Sequence, residues 1–565
     1  MRWVFLVCIV ACSAPAPSPV APGSRPSSPS PPPSPPPIAR PPADSIASGH
    51  DVNREIDAGQ IHRYRVTTTA NSVIAGVVDQ DGIDLEVITY DAAGAKLRAF
   101  DSPNGEHGPE PFVIDAAVAG DYDFEVRQVE LPPDAPPDPT MSPHGKYHAA
   151  IEVMSADDYA YKLAKDHIAS PRILAVWREA RLHHTAAVDK FWADLAGKGP
   201  IVEPYPDHPD ESLVTFVMRA KDPYVGVVGV MDFREKPLVR IGDSDLWYVS
   251  ARMPSDSRFD YGFIVTDGPP ELVAAYHPNG PGDNRFTKLQ RDPTNPATHN
   301  IMSRLELPGA QPQTWIVPNA ATPKGTIKEI TIDSASLKEK RRVGVYLPAG
   351  YDPKQRYPVL IVFDGEVYGM APQAQIPTPT ILDNMIAAHK IPPIVAALVA
   401  NQGVRSRDLA YHEPFGKFVA EELVPKLRAE FHAGLKPDDV IVAGSSLGGL
   451  TSTFVAFHHP DVIGKVLSQS GSYQFVPGVF DHDIAQTTEG NVLTREIAAA
   501  PKKPIKLYLE AGLFEAGLLD SNRHLRDVLA AKGYTVTYRE FHGGHDYWVW
   551  RGTISDGLIA LLPSH

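Results

Sequence analysis

The chain has 565 residues, of which 43% are hydrophobic and 21% are charged, as in soluble globular proteins. Because a single hydrophobic core rarely serves more than about 250–300 residues, the chain should divide into several domains. Its formal net charge of −15 would repel a phosphate backbone, so we expect no nucleic-acid partner. Beyond the N-terminus, no apolar run approaches the roughly 18 residues of a membrane-spanning helix.

Both cysteines lie at the N-terminus, at positions 8 and 12. Arg2 and the apolar run after it resemble the start of a secretory signal, and the segment 9–12 (IVAC) resembles the lipobox of bacterial lipoproteins. We therefore predict an export signal over residues 1–12, with Cys12 as a lipid anchor that holds the protein on a bacterial membrane, in the periplasm or at the cell surface. An ordinary signal peptide, or a mis-set start, is the alternative.

The segment after the predicted anchor, residues 13–43, is dominated by proline, serine and alanine. This composition cannot build a core and favours extended polyproline conformations. It predicts a semi-rigid linker that separates the following domains from the lipid surface.

Two regions with strand patterns follow the linker. Residues 44–155 carry alternating segments at 61–66, 84–90 and 119–126, separated by turn signals, which predict a β-sandwich module. Residues 165–320 begin with a helical pattern and continue with strand patterns between 213 and 265. We interpret this second region as another all-β, sandwich-like domain.

From residue 325 to the C-terminus, strand and helix patterns alternate. The predicted strands lie at 326–332, 342–347, 359–363, 394–399, 440–443, 465–470, 505–510 and 535–541. Such alternation is typical of a mostly parallel sheet covered by helices. We therefore predict an α/β-hydrolase catalytic domain over 325–565, preceded by the two all-β domains.

The most informative motif of this last domain is Gly-x-Ser-x-Gly at 444–448 (GSSLG), between an apolar strand and a helical pattern. A serine on a tight strand-to-helix turn has a strained backbone, and Gly444 and Gly448 would let the strand and the helix approach each other. This context predicts a nucleophile elbow with Ser446 as the nucleophile. An ordinary glycine-rich turn between a strand and a helix is the alternative.

In α/β-hydrolases the acid and the base follow the nucleophile in the chain, on loops at the carboxyl ends of later strands. The last strand runs into 542–546 (HGGHD), and His545, beyond the two glycines, is the better base. His542, still at the strand end, is expected to be structural. For the acid, which must follow the strand 505–510, we predict Glu515 in the next loop, with Asp520 in reserve.

An ester hydrolase also needs donors that stabilise the oxyanion of its tetrahedral intermediate. The fold geometry places one at the backbone N–H of Leu447 and the other in the loop after the strand 359–363. Gly365 in that loop would admit close approach of the substrate, so its N–H is the second predicted donor.

These motifs, taken in their order, resemble the enterochelin (enterobactin) esterase family within the esterase D-like hydrolases. The matching segments of the last domain are 346–348 (YLP), 364–365 (DG), 444–450 (GSSLGGL), 467–473 (LSQSGSY), 509–512 (LEAG), 543–546 (GGHD) and 550–551 (WR). In the second β region they are 200–204 (PIVEP), 213–216 (LVTF), 242–248 (GDSDLWY), 254–256 (PSD) and 291–296 (RDPTNP). The resemblance covers roughly residues 170–565 and implies Ser446, Glu515 and His545 as the triad. The predicted export and the first β module depart from the two-domain family pattern.

The resemblance also suggests which side chains could meet a catechol-containing substrate. Arg405 and Arg407 follow the strand 394–399 and could bind an anionic catecholate or carboxylate, and a solvated loop is the alternative. Tyr473 and Trp548 could stack on an aromatic acyl group, with packing in the core or at the rim as the alternative.

The predicted function is a serine carboxylic-ester hydrolase outside the cytoplasm, which acts on a small-molecule ester through an acyl-enzyme. The resemblance makes a ferric siderophore trilactone of enterobactin type the leading substrate, and no metal or organic cofactor is required. One alternative is an esterase for feruloyl or acetyl groups of polysaccharides. Another is a surface lipoprotein that binds a ligand without turnover.

Overall fold

The computed structural model describes residues 41–129, 142–183, 185–229, 235–268, 288–299, 301–371, 373–477 and 490–562. The predicted signal with Cys12, and the predicted linker up to residue 40, lie outside the described residues. The chain divides into two compact units, Met1–Lys162 and Leu163–His565. None of the described helices combines the length and the apolar character that a membrane crossing requires.

The first unit is rich in strands. These are β1 (Asp44–Ser45), β2 (Asp51–Asp57), β3 (Ile61–Thr68), β4 (Ser72–Asp81), β5 (Leu85–Tyr90), β6 (Lys96–Phe100), β7 (His107–Ala116), β8 (Gly120–Gln128) and β9 (His144–Ser155). They form one sheet with the order β1-β3-β8-β5-β6 and another with the order β2-β9-β4-β7. Side chains of both sheets share one core, which includes Tyr64, Phe112 and Phe124. This arrangement is consistent with the predicted sandwich.

The second unit begins with helices and a strand-rich region. A helix at Ala156–His167 follows β9 in the chain, and two more helices follow it at Pro171–His183 and Thr185–Leu195. The strands are β10 (Ile201–Pro204), β11 (Glu211–Arg219), β12 (Tyr224–Val228), β13 (Lys236–Pro237), β14 (Val239–Arg240), β15 (Leu246–Pro254), β16 (Arg258–Thr266), β17 (Leu289–Gln290), β18 (Thr298–His299) and β19 (Met302–Glu306). They form a sheet with the order β10-β11-β15-β14 and another with the order β13-β12-β16-β19-β18, and β17 pairs with β16.

An eight-stranded sheet forms the rest of the second unit. Its strands are β20 (Thr326–Ser334), β21 (Glu339–Leu347), β22 (Val359–Val362), β23 (Val395–Val399), β24 (Val440–Ser445), β25 (Lys465–Gln469), β26 (Lys506–Gly512) and β27 (Thr535–Phe541). The order is β20-β21-β23-β22-β24-β25-β26-β27. Strands β20 and β21 pair antiparallel to each other, β21 pairs antiparallel to β23, and the remaining pairs are parallel. The predicted, mostly parallel α/β-hydrolase sheet is confirmed.

Helices cover both faces of this sheet. They are Thr378–Ala387, Arg405–Asp408, Glu413–Lys417, Val424–Phe431, Leu447–His458, Val492–Ala499, Gly517–Ala531 and Tyr547–Leu561, with π-helical turns at Glu366–Met370 and Phe418–Leu423. Because successive side chains of a strand point to opposite faces, Val359 and Ile361 enter one core, and Leu360 and Val362 enter the other. Burial on both faces explains why the central strands are almost continuously apolar.

Candidate active site

The turn between β24 and the helix Leu447–His458 has the geometry of a nucleophile elbow. Ser446 adopts φ 58° and ψ −124°, a conformation that is strained for any residue with a Cβ. A Cβ on Gly444 would lie 2.7 Å from the carbonyl carbon of Gly448, so the close approach of strand and helix requires glycine there. Gly444 therefore has the role predicted for it, whereas a Cβ on Gly448 would make only ordinary contacts, the nearest with Oδ2 of Asp364 at 3.4 Å.

Hydrogen bonds to β25 and the loop after it hold Ser446 in this conformation. Its N–H donates to the carbonyl of Gln469 at 3.0 Å, and its carbonyl accepts from the N–H of Ser472 at 3.0 Å. The hydroxyls of Ser446 and Ser472 lie 3.2 Å apart. Ser472 has no predicted role in the sequence analysis, although it lies in the family-like segment 467–473.

The predicted acid and base lie together. Nδ1 of His545 is 3.3 Å from Oε1 of Glu515, and the Glu515 side chain is fully buried while that of His545 is 15% exposed. Asp520, the reserve acid, is 68% exposed and lies 4.0 Å from Arg523 in the helix Gly517–Ala531. This contact favours Glu515 over Asp520 as the partner of His545.

The candidate triad gathers at one edge of the sheet. Ser446, Glu515 and His545 follow the parallel strands β24, β26 and β27, respectively. Since parallel strands end at the same edge, their loops converge above it, where ligands of open α/β sheets bind. An imidazole held by a buried carboxylate can accept the proton of a serine hydroxyl, so the arrangement suits acyl transfer.

A tryptophan supports the imidazole of His545. The rings of His545 and Trp550 meet edge to face, with centroids 4.6 Å apart and planes at 86°. Nε1 of Trp550 donates to Oγ of Ser470 at 3.0 Å, so the indole is itself fixed to the loop after β25. Trp550 lies in a family-like segment of the sequence, 550–551, but no role is predicted for it there.

The second β region contacts the loop that carries His545. The N–H of Arg258, at the start of β16, donates to the carbonyl of His542 at 2.9 Å. Nδ1 of His542 bonds to a carboxylate oxygen of Asp256. His542 therefore lies between the two regions, in agreement with the structural role expected for it.

The same strand also contacts the loop that carries Glu515. The rings of Phe259 and Phe514 pack edge to face, with centroids 5.7 Å apart. The N–H of Phe514 donates to the carbonyl of Gly543 at 3.1 Å, which joins the acid loop to the base loop. Because Phe514 directly precedes Glu515, packing against β16 helps to fix both loops.

A buried carboxyl follows His545. Asp546 caps the helix Tyr547–Leu561 by accepting from the N–H of Val549 at 2.9 Å, and it also accepts from the N–H of Asp260 at 3.4 Å. Burial, and then the charge of Asp260, raise the pKa of Asp546 well above its usual range. The cap fixes the direction in which the chain leaves His545.

The structure corrects the prediction for Gly365. Its N–H donates to the carbonyl of Val399 at 2.8 Å, so this donor is already used. A Cβ on Gly365 would lie 2.8 Å from the carbonyl carbon of Leu398, so glycine is needed for packing against β23 rather than for substrate entry. Leu447 is the first residue of its helix, where an N–H has no acceptor within the helix, and it stays a predicted oxyanion donor.

The loop after β22 is held by charged hydrogen bonds. Asp364, buried and at φ 57°, accepts from Arg405 through Nε at 2.7 Å and Nη2 at 3.1 Å, and from Nδ2 of Asn401. Glu366 accepts from the N–H of Asn401 at 3.0 Å. These bonds tie the loops after β22 and β23 together, and they occupy Arg405, one of the two arginines considered for substrate binding.

The other arginine, Arg407, is also engaged within the protein. Its Nη2 lies 2.9 Å from Oε1 of Glu339 and 2.8 Å from Oδ1 of Asp408. These two carboxylates neutralise the guanidinium, so the arrangement gives no support to the predicted contact between Arg407 and substrate.

The two predicted aromatic contacts are wrong. Tyr473 has no exposed surface, and its hydroxyl is within hydrogen-bonding distance of Thr453 at 2.7 Å and Ser468 at 2.8 Å. Trp548 packs against the guanidinium groups of Arg304 and Arg551. Neither ring offers a free face to an acyl group, because neighbouring residues of the same unit cover both rings.

Among the residues that the structure describes, no group of three or more His, Cys, Asp or Glu side chains could hold a metal ion. A cavity of about 770 Å³ lies beside Trp177, Arg219 and Asp245. None of the candidate triad residues lines it.

Comparison with known proteins agrees with this geometry. Residues 334–561 match the model of the putative esterase family, and residues 213–316 match that of the enterochelin esterase N-terminal domain. The iron(III) enterobactin esterase of Escherichia coli O6:H1 is 29% identical over 354 residues, which are 60% of this chain and 86% of that protein. The iron(III) enterobactin esterase of Dickeya dadantii is 27% identical over 419 residues, which are 67% of this chain and 93% of that protein.

Solved structures show the same relationship. The ferric enterobactin esterase of Salmonella typhimurium superposes with a TM-score of 0.53 at 26% identity, over 66% of this chain and 98% of that one. The enterobactin esterase of Shigella flexneri, crystallised in the presence of enterobactin, gives a TM-score of 0.52 at 26% identity. The superposition covers 66% of this chain and 97% of that one. The second unit thus carries an enterochelin esterase N-terminal domain followed by an esterase domain, and the protein is a carboxylic ester hydrolase similar to the enterobactin esterases.

Proposed function

We propose that this protein is an exported serine esterase that cleaves the ester bonds of a catecholate siderophore of enterobactin type. The observation that carries the proposal is the contact between His545 and Glu515, at the same sheet edge as the strained Ser446. The names of the relatives support the substrate class, since five of them are esterases of iron(III) enterobactin or salmochelin.

In the proposed reaction, Oγ of Ser446 attacks the ester carbonyl carbon while His545 accepts the hydroxyl proton. The tetrahedral intermediate collapses as the C–O bond breaks, and the imidazolium returns the proton to the leaving alcohol. Glu515 stabilises the imidazolium while it exists. A water molecule, deprotonated by His545, then attacks the acyl-enzyme and releases the acid and the free serine.

The N–H of Leu447 would stabilise the developing oxyanion. Its place at the N-terminus of a helix adds the favourable end of the helix dipole. The loop after β22 would supply the second donor, at a position other than Gly365. The ties among Asp364, Arg405 and Asn401 would keep that loop in place during the reaction.

We further propose that the protein is exported and lipid-anchored. The segment 9–12 (IVAC) and the proline-rich linker support this proposal. Mass spectrometry of the membrane fraction tests it: the expected peptide begins at Cys12 and carries lipid. An unmodified Cys12 in the mature protein would contradict the anchor without affecting the esterase activity.

A polysaccharide esterase is the second candidate, because the endo-1,4-beta-xylanase/feruloyl esterase of Xylanibacter ruminicola is 24% identical over 295 residues. Parallel assays with ferric enterobactin and methyl ferulate separate the two candidates. We expect hydrolysis of ferric enterobactin. Cleavage of methyl ferulate alone would transfer the proposal to the second candidate. If the protein cleaves neither of these esters and no other aryl ester, the result would favour a lipoprotein that binds without turnover.

The nucleophile is tested with p-nitrophenyl butyrate as a neutral substrate. Ser446→Ala should lower kcat by several orders of magnitude, because the acyl-enzyme cannot form. Ser445→Ala is the matched control, since it removes a buried hydroxyl from the preceding residue. We expect Ser445→Ala to retain most of the activity. Undiminished turnover by Ser446→Ala would refute the mechanism.

A further inference from the structure

Trp548 is enclosed by two guanidinium groups. The central carbon of Arg304 lies 3.7 Å from the ring centroid, and that of Arg551 lies 3.4 Å from it. One face of an indole accommodates a single guanidinium at such distances, so the two cations cover opposite faces. Cation–π attraction stabilises each contact.

These cations have few partners inside the protein. Nε of Arg304 is buried and has no hydrogen-bond acceptor among the described residues. Nε of Arg551 donates to Oε1 of Gln313 at 2.7 Å, which is an uncharged acceptor. By contrast, Arg405 and Arg407 are each bound directly to carboxylates.

A third arginine, Arg258, lies near these two and is paired with a carboxylate. Arg258 donates through Nη2 to Oε1 of Glu306 and to the carbonyl of Gln311, each at 2.8 Å. Burial lowers the pKa of Arg551 to about 10, and the charges of Arg304 and Arg258 act in the same direction, whereas the carboxylates of Glu306 and Asp260 oppose it. The cluster of Arg258, Arg304 and Arg551 thus sets three guanidinium groups against two carboxylates, Glu306 and Asp260. An added anion would relieve the repulsion that remains between the guanidinium groups.

The arginine cluster lies next to the catalytic base. Trp548 and Arg551 lie in the first turns of the helix that follows His545. Arg304 on β19 is the register partner of Asp260 on β16, and the N–H of Asp260 bonds to Asp546, the residue after His545. A ligand held by the cluster would therefore lie beside the loop that carries the base.

Resting on the proposed function, we propose that Arg304 and Arg551, braced by Trp548, bind the anionic aromatic part of the substrate. Planar guanidinium groups match the paired oxygens of a catecholate or carboxylate and bond to them with two hydrogen bonds. In a catecholate complex of iron(III), the phenolate charges outnumber the charge of the metal, so the complex as a whole is an anion. The cluster would select such an ester over a neutral ester with the same bond to be cleaved.

The test compares two substrates on the full-length protein, ferric enterobactin and the neutral p-nitrophenyl butyrate. Arg304→Gln and Arg551→Gln should each raise KM for ferric enterobactin by about ten- to a hundredfold, the usual effect of losing a charge-assisted hydrogen bond. The kcat/KM for p-nitrophenyl butyrate should stay within about twofold of wild type, and this also reports that the variants fold. Added salt should weaken ferric enterobactin binding in the wild type more than in the variants.

Arg252→Gln is the matched control. Arg252 also stacks on an aromatic ring, with its central carbon 4.5 Å from the centroid of Tyr205, but Glu211 already pairs with it. We expect this variant to leave KM for both substrates unchanged.

The remaining outcomes separate the inference from the proposed function. Loss of activity toward both esters in the arginine variants, or an unchanged KM for ferric enterobactin, would overturn the binding role. A wild type that cleaves p-nitrophenyl butyrate but not ferric enterobactin would overturn the substrate class and the inference with it. A wild type that cleaves neither would refute the proposed esterase function itself.

Discussion

The ionisation of Glu510 should make the second unit less stable as the pH rises. Glu510 lies on β26 and is fully buried. Its carboxyl accepts from Nε2 of Gln469 at 2.8 Å, from the hydroxyl of Tyr508 at 3.0 Å and from the hydroxyl of Thr553. Because the carbonyl of Gln469 accepts from the N–H of Ser446, this buried network directly adjoins the nucleophile turn.

The size of the effect follows from the pKa. Burial raises the pKa of Glu510 from 4.5 to about 7, against the opposing effect of its three donors. The folded protein therefore holds the proton more tightly than the unfolded chain does. The stabilisation is complete below about pH 4.5, and it is lost as the pH rises to about 7. At about 1.4 kcal/mol for each pKa unit, the loss is about 3 kcal/mol.

Urea unfolding of the wild type and of Glu510→Gln, between about pH 4.5 and 7.5, measures this loss. Tryptophan fluorescence reports on the second unit, because every tryptophan after Trp3 lies there. Glutamine keeps the shape and can still accept from Gln469 and Thr553, but it cannot ionise. The difference in unfolding free energy between the two proteins should therefore change by about 3 kcal/mol across this range.

Glu540→Gln is the control for that series. The Arg523 guanidinium holds the pKa of the Glu540 carboxyl below its usual range, so its linkage to pH has the opposite sign. This variant should still lose stability between about pH 4.5 and 7 as the wild type does. An identical pH dependence in the wild type and in Glu510→Gln would refute the assignment to Glu510.

Two further predictions concern the candidate triad and the elbow. Glu515→Gln should lower kcat for p-nitrophenyl butyrate by about two orders of magnitude or more, because the neutral amide cannot stabilise the imidazolium. Asp520→Asn is the control and should leave kcat within about twofold of wild type. If instead Asp520→Asn lowers kcat and Glu515→Gln does not, Asp520 is the acid. Gly444→Ala should abolish activity and lower the unfolding free energy by more than about 1 kcal/mol, since its Cβ would meet the helix at 2.7 Å. Gly517→Ala, whose Cβ would meet nothing within 4 Å, should be neutral or slightly stabilising; equal effects of the two glycine changes would contradict the close-approach argument.

Patterns that are local in the chain were readable from the sequence. The central strands β22, β23 and β24 are almost continuously apolar because both of their faces are buried, and the elbow needs a glycine two residues before its serine. The order of nucleophile, acid and base then fixes which loops carry the triad. These features need only the chain within a few residues of each site, together with the rule that parallel strands end at one edge.

Side-chain partners from distant segments could not be read in this way. Arg407 and Trp548 each fit a substrate contact by residue type and position, but Glu339 neutralises one and Arg304 covers the other. Gly365 also fits its predicted role locally, yet the carbonyl of Val399 takes its N–H. Asp408 and Arg551, which also contact these two side chains, are near in the chain. Glu339, Arg304 and Val399, however, each lie more than thirty residues from the residue that they contact, where no periodicity connects the two.

The sequence by itself determined the α/β sheet, the strained turn of Ser446 and the loops that carry Glu515 and His545, because strand burial and turn sterics act over short stretches of chain. Only the tertiary structure decided that Trp550 supports the imidazole, that β16 contacts both catalytic loops, and that the arginine cluster forms beside the base. Those contacts depend on how separate strands and helices pack, and packing selects neighbours by shape and charge in three dimensions.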